Sequence, residues 1–430
     1  MSAAPISGRE AGALAAIVLV ALVLRGLWLA ETDTEIPPLS DPQYYHATAQ
    51  NLSDGRGYSV ALDERGFAAG PGSEATAFWP PGYPLALAPL YAVFGPDERA
   101  AKAFNAVGGA LTVVPVWFVA RRLAQRSESA AATGLLGAAL FALTPSLTFW
   151  SSSLFSEPLF TLGVASTLAV ALSAGERGTL GAYGAAGLTL AATSFVRSQG
   201  VVLVVPVAVL LVRSFDARSV LRAMAPVAAA FLLLAVPWAA RNEVAMGRPY
   251  PISDNLGYNL RLAHAPYATG TSVAPQDLWD ERPGISFKER ELLFDDLGRE
   301  RAWAYARAHP GREVELAAKR VGWLVRSDAA DAVRWAESLG RTPIDGWRRD
   351  AYVLVGDAYY YALAALVAAS LLGVRRGRAW VGLWAAVTVW VGLHLVFAGE
   401  PRYHVPMVPV LAALAAAVIV RAWARDGRGA

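Results

Sequence analysis

The sequence predicts an all-α integral membrane protein with about ten transmembrane helices and an outward first loop that carries juxtamembrane helices. Three observations predict it. Hydrophobic residues make up 55% of the 430 positions and charged ones only 17%, far from the balance of a soluble domain. Apolar runs near the roughly 20 residues needed to cross a bilayer recur along the chain, and within one such run only a helix satisfies its own backbone. Arginines gather in short clusters between the runs.

The runs lie at residues 11–30, 100–120, 131–150, 154–174, 180–195, 200–212, 224–240, 352–374, 380–398 and 405–423. The fifth and sixth are short and flank Arg197, which reads as a pair of short helices or one broken element. Arg121, Arg122 and Arg126, then Arg213, Arg218 and Arg222, then Arg375, Arg376 and Arg378, then Arg421, Arg425 and Arg428 fall on one side when the spans alternate. The positive-inside rule makes that side cytoplasmic, with both termini, in a cell (plasma or inner) membrane. The first run follows only Arg9 and exceeds a signal peptide's apolar core, so it is expected to stay as the first helix. A reporter fused after Arg65 or Asp280 is expected outside, and one after Arg126 or Arg376 in the cytoplasm. Arg65 and Arg126 on the same side would overturn the ten-span arrangement.

Three parts are expected: a transmembrane module at 1–240 that includes the outer loop 31–99, an outer segment at 241–350, and C-terminal spans at 351–430. The outer loop holds ten Asp or Glu and three Arg, consistent with its side. Within it, FWPPGYPLALAPLYAVFG is apolar but carries four prolines, which suits an interfacial or re-entrant helix. The outer segment predicts a soluble helix over 287–325, broken at His309-Pro310-Gly311.

With no cysteine, the chain has no disulfide framework, thiol nucleophile or thiolate metal site. A net charge of +3 gives no reason to expect nucleic acid. In SDPQYYHATAQNLSDGRGYS, Asp41 followed by Pro42 predicts a helix start, because a carboxylate accepts from the first free N–H groups and proline is pre-set for the first turn. Tyr44, Thr48 and Leu52, with Tyr45 and Ala49, mark one face of a short amphipathic helix that Gly55 and Gly57 end. Asp41 is then either its cap or a rigidly held proton acceptor at the membrane surface.

Five stretches in order carry a resemblance: DPQYYHATAQNLSDGRGYS, WPPGYPLALAPLYAVFG, SEPLF, PWAARNEVAMGRPYPIS with GYNL and ATG, and GEPRYHVPMVPVLAALAA. Together they resemble the GT-C glycosyltransferases of the branch with protein mannosyltransferases and aminoarabinose transferases (glycosyltransferase family 39-like). Those enzymes take a sugar from a polyprenyl phosphate outside the membrane. The resemblance implies a GT-C helical bundle and inverting transfer of one sugar to a hydroxyl acceptor on a glycan, lipid or protein. Asp41 matches the family's acidic loop residue and is implied as general base, a role open to any carboxylate within reach of a hydroxyl. The departing phosphate gains negative charge and calls for Arg or Lys. Arg402 matches the basic residue near the lipid phosphate, and Arg197 and Lys102 are further candidates, with snorkelling or a simple turn as the structural alternatives.

Glu157 matches an acidic position near the donor sugar, or serves only as a polar helix start. Tyr44, Tyr45, His46, Trp79, Tyr83 and His404 complete the expected donor-sugar and acceptor contacts, the aromatics doubling as an interface belt. No cofactor is expected beyond the polyprenyl-phosphate sugar as donor. A divalent cation on Asp41, Glu157, His46 and His404 stays open, although no His spacing resembles a zinc signature. Trp79 stands where aminoarabinose transferases carry a lysine before Pro-Pro, and Pro42 where protein mannosyltransferases carry a second acid, so the donor sugar and the acceptor stay unnamed. Two rivals remain: a ligase moving a preassembled glycan from a polyprenyl pyrophosphate, and a transporter. A transporter needs ionisable residues along a midplane path, whereas Asp41, Glu157 and Arg402 collect at one surface.

Overall fold

The computed structural model describes all residues except 1–5, 33–34, 37–39, 63–67, 125–126, 213, 215, 340–343, 374–376 and 427–430. Arg65, Arg126, Arg213, Arg375, Arg376, Arg428 and the end of the eighth run lie outside the described residues. The uninterrupted apolar run at the start folds as α1 (Gly8–Thr32). The first outer loop then folds as α2 (Asp41–Ser53), a hairpin of β1 (Ser59–Leu62) and β2 (Ala68–Ala75), and α3 (Gly82–Phe94). Gly55 and Gly57, at φ 74° and 76°, turn the chain after α2, a backbone state that glycine adopts without strain.

Next come α4 (Glu98–Leu111), α5 (Val113–Arg121), α6 (Ser127–Ala142), α7 (Pro145–Phe149), α8 (Glu157–Arg177), α9 (Leu180–Val196), α10 (Val204–Leu211) and α11 (Ala217–Met246). The outer segment contributes α12 (Leu256–Ala263), α13 (Gln276–Trp279), α14 (Phe287–Ala308), α15 (Pro310–Leu324) and α16 (Ala329–Leu339). The chain closes on α17 (Gly346–Gly373), α18 (Arg378–Val396) and α19 (Val408–Asp426). The predicted soluble helix appears as α14 and α15, parted at His309 because Pro310 has no N–H to continue the ladder.

Seven helical stretches among the described residues are long and apolar enough to cross a membrane, and α6 with α7, bent by 54°, makes an eighth. The fifth and sixth runs do not reach that length. They fold as α9 and as a 3-10 turn (Ser198–Leu203) leading into α10, broken at Arg197, whose backbone is extended. The proline-rich run is the short helix α3, which packs on α2. Its start at Gly82 lies so close to α9 that a Cβ there would meet the Phe195 carbonyl at 2.6 Å, so only glycine lets the Trp79-Pro80-Pro81 turn approach the Arg197 break.

One core runs from the outer loop into the bundle: Tyr45, Tyr83 and Leu87 share it with Phe160 and Leu168 of α8, Leu210 of α10 and Leu414 of α19. The loop is therefore packed into the same body as the spans. Arg121 meets Glu10 at 3.0 Å and Arg122 meets Glu176 at 2.7 Å, which brings the start of α1 and the ends of α5 and α8 to one face. Helix α8 then runs from Arg177 on that face to Glu157 on the other, about 30 Å away at 1.5 Å per residue.

Candidate active site

Three breaks in helical structure meet at the Glu157 face: the start of α8, the Arg197 turn, and the 3-10 turn Pro401–Met407 that precedes α19. Each break carries an ionisable side chain. Arg197 reaches Glu157 at 2.9 Å and Ser156 at 3.2 Å, and its Nε donates to Gln199 at 3.3 Å. The Nε of Arg402 donates to Glu400 at 2.9 Å, while its Nη1 lies 4.0 Å from Glu157. The guanidinium of Arg402 also covers the Phe155 ring at 4.8 Å. Glu157 is thus a buried carboxylate between two arginines, ion-paired with Arg197 and 4.0 Å from Arg402, whose Nη groups make no hydrogen bond among the described residues.

Asp41 joins them from α2, but not as a cap. Ser40 takes that place, its hydroxyl accepting from the Gln43 N–H at 3.4 Å with Pro42 in the first turn. Either residue type can cap, and the serine one position earlier already satisfies the donor, so Asp41 becomes the first helical residue. Its carboxylate makes no hydrogen bond among the described residues. Desolvation in the cavity wall pushes the Asp41 carboxyl above the usual carboxylate range, with Arg402 and Arg197 pulling it back and Glu157 and Glu400 adding to the rise.

Asp41, Arg197 and Arg402 line one cavity of about 630 Å³, together with Tyr44, Tyr45 and Trp79. An aromatic wall continues from these to the outer segment: Trp79 packs on Phe78 (ring centroids 5.2 Å apart), Phe78 on Tyr258 (5.3 Å) and Tyr258 on Phe294 (5.4 Å). Glu291, Asn255 and Asn259 add polar groups. A largely apolar cleft with a few convergent polar side chains is the usual form of a small-molecule site.

The other residues singled out in the sequence do not line this cavity. Tyr83 is fully buried and donates to Asn105 at 3.0 Å, its ring edge-on to Tyr45. His46 turns to the far face of α2 and shares a 2.7 Å hydrogen bond with Tyr91. Lys102 pairs with Glu98 at 3.4 Å, one turn earlier on α4. His404 stacks on Tyr360 and lies 3.3 Å from Asp328. The four side chains considered for a cation, Asp41, Glu157, His46 and His404, are therefore not gathered, and no group of three or more such ligands occurs among the described residues.

The sequence reasoning passed over Glu400, Ser156, Tyr258 and Glu291. Glu400 and Ser156 stood inside the quoted motifs beside Arg402 and Glu157. Tyr258 stood in GYNL, whereas nothing local marked Glu291.

Residues 79–240 match the sequence profile of the family described as dolichyl-phosphate-mannose-protein mannosyltransferase. No curated protein sequence matches the chain significantly. Among solved structures, the apo oligosaccharyltransferase of Archaeoglobus fulgidus aligns over 94% of this chain and 50% of its own, at 16% identity and a TM-score of 0.53. The oligosaccharyltransferase AglB of the same organism, in complex with an inhibitory peptide and a dolichol-phosphate, aligns over 95% and 50%, at 16% identity and 0.52. ArnT from Cupriavidus metallidurans, bound to undecaprenyl phosphate, covers 97% and 79%, at 16% identity and 0.40. The chain spans about half the length of the oligosaccharyltransferases it matches. The architecture is that of a polytopic membrane protein with a polar site at one helix-end face. The fold is that of the solved oligosaccharyltransferases, and residues 79–240 carry the profile of the mannosyltransferase family.

Proposed function

We infer that the chain is a membrane glycosyltransferase that moves a single sugar from a polyprenyl-phosphate carrier to a hydroxyl acceptor on the extracytoplasmic face, with inversion. One observation carries the reading: a carboxylate without a hydrogen-bonding partner among the described residues, Asp41, shares a cavity with two guanidinium groups, Arg197 and Arg402. The acceptor oxygen attacks the anomeric carbon and its proton passes to the Asp41 carboxylate. The bond from that carbon to the phosphate oxygen breaks, and its electron pair leaves with the phosphate. Charge therefore builds on the phosphate as the bond opens, where N–H groups of Arg402 and Arg197 are aimed in advance. Arg402 uses Nε on Glu400 and makes no hydrogen bond through Nη1 or Nη2 among the described residues, so its fork stays open for two phosphate oxygens. Glu157 acts from beneath by fixing both arginines.

A lipid-linked phosphate donor also suits a cavity lined where helical structure breaks, at Arg197 and at the turn before α19. Purified protein in nanodiscs is expected to consume a labelled polyprenyl-phosphate monosaccharide and release polyprenyl phosphate. Turnover of a polyprenyl-pyrophosphate oligosaccharide in place of the monosaccharide would assign the ligase reaction instead. Movement of intact lipid across the bilayer without cleavage would assign transport.

A further inference from the structure

The loop that carries Asp41 is held from outside by a buried pair of acids on the outer segment. Glu291, on the first turns of α14, accepts from the Ala77 N–H at 2.9 Å and from the Thr76 hydroxyl. That commits the Thr76 proton, so the hydroxyl of Tyr44 on α2 donates to the Thr76 oxygen, which also accepts from the Phe78 N–H at 3.2 Å. Asp254 lies beside Glu291, and its own N–H donates to the Ala77 carbonyl at 3.0 Å. Neither oxygen of Asp254 meets an N–H or O–H of another residue among the described residues; the group facing it is the Glu291 carboxyl. Arg241 adds bonds to the Thr76 and Tyr58 carbonyls at 2.7 and 2.5 Å.

We propose that Glu291 is a positioning residue for transfer: through Thr76 and Tyr44 it sets α2, and with it Asp41, and a proton shared with Asp254 makes that hold pH-dependent. This rests on the reading of Asp41 as the base. With one proton between the two acids, Glu291 donates to Asp254 while still accepting from Thr76 and Ala77. Without it, two buried carboxylates face each other. Burial pushes the Asp254 carboxyl up to about 7 and that of Glu291 well above its ordinary value. Asp295 on α14 repels the pair, Arg248 attracts it from its own ion pair with Asp296, and Arg241, Tyr44 and Tyr58 border it. Tyr250 also borders Asp254.

The sign follows from proton counting. Folding raises both carboxyl groups, so the folded state holds more protons than the unfolded chain between roughly pH 4 and 7, and stability falls as pH rises through that window. Turnover of the folded protein should fall as pH rises through and above about 7, where the pair gives up its proton and the hold on α2 loosens, while the Asp41 limb runs in the opposite direction.

The test uses the full chain in nanodiscs with Thr76→Val, Glu291→Ala, Glu291→Gln and Asp254→Asn. Single-turnover rate, donor KM and amide exchange of residues 41–53 are followed from pH 5.5 to 9. Thr76→Val, which lies outside the cavity wall, should cut the rate roughly ten- to a hundredfold, as misplaced catalytic groups do, with donor KM within twofold and faster exchange in α2. Glu291→Ala should do the same without adding to it in the double variant. Asp254→Asn offers an amide N–H to Glu291 at any pH while Glu291 still accepts from Thr76 and Ala77, so it should keep the hold on α2 and lose the fall above neutral pH; Glu291→Gln, one acceptor oxygen short, should loosen α2 at every pH.

Wild-type rates per folded molecule in Thr76→Val, or an unchanged alkaline fall in Asp254→Asn, would overturn the proposal. Should the Glu291 variants fail to fold, Thr76→Val and Asp254→Asn still decide it. Normal turnover in Asp41→Asn strikes at the base instead, and the α2 exchange measurement stands apart from that result.

Discussion

Replacing Asp41 with asparagine should lower turnover by about two to four orders of magnitude with donor affinity little changed, the usual loss when a general base is removed. The structure sharpens this expectation. Because Ser40 caps α2, the substitution leaves the cap intact. It removes only a first-turn charge from the helix dipole, worth at most about 1 kcal/mol. Expression and thermal unfolding should therefore match the wild type. The Asp41 carboxyl lies above the ordinary carboxylate range, so the wild-type rate should fall on acidification at a pH above that range, as the base takes up its proton. That acid limb should vanish in the residual activity of the variant. The measurement is single-turnover transfer per folded molecule across pH, and near-normal transfer by the Asn variant would return Asp41 to a structural role.

The bundle was legible because its signals are local. Apolar length, the Pro310 break and the glycines after α2 each act within a turn or two of chain. The pairing of Lys102 with Glu98 is just as local, since residues four apart on a helix are neighbours, but the sequence reading takes Lys102 as a phosphate-binding or snorkelling residue and misses it. Asp41 stays open between cap and proton acceptor in the sequence because Ser40 and Asp41 are both good capping residues and sequence does not rank neighbours that share one N–H.

Glu157 is a different case. Its motif was recognised, but only the fold shows it beneath Arg197, forty positions away, and beneath Arg402 instead of in the cavity wall. Glu291 gave no local sign at all, because what defines it is Thr76, 215 positions earlier in the chain. The fifth and sixth runs fell short of spanning length because Arg197 stops α9 and its guanidinium pairs with Glu157 through one nitrogen. An arginine tied to a buried carboxylate at a helix break does not slide out along the membrane.

Arg402→Ala should remove nearly all transfer, by roughly a hundred- to a thousandfold, the scale seen when one preorganised donor to a developing anion is lost. Arg402→Lys should keep part of it. A lysine ammonium carries the charge, but it cannot hold Glu400 through one nitrogen and present a planar pair to two phosphate oxygens with the others. The loss should fall on the rate more than on donor binding, because the arginine meets more negative charge as the glycosidic bond opens than it does in the ground state. A snorkelling arginine predicts the reverse, near-normal insertion and activity for both variants. The geometry already argues against snorkelling, since the Arg402 side chain is 17% exposed and folded back over Phe155.

Removing Arg402 also leaves Glu400 without its partner, so Arg402→Ala with Glu400→Gln serves as the control. It should recover any lost thermal stability without recovering transfer. Equal single-turnover rates in wild type, Lys and Ala would take Arg402 out of the site, and recovery of transfer in the double variant would make its role that of a charge balance for Glu400.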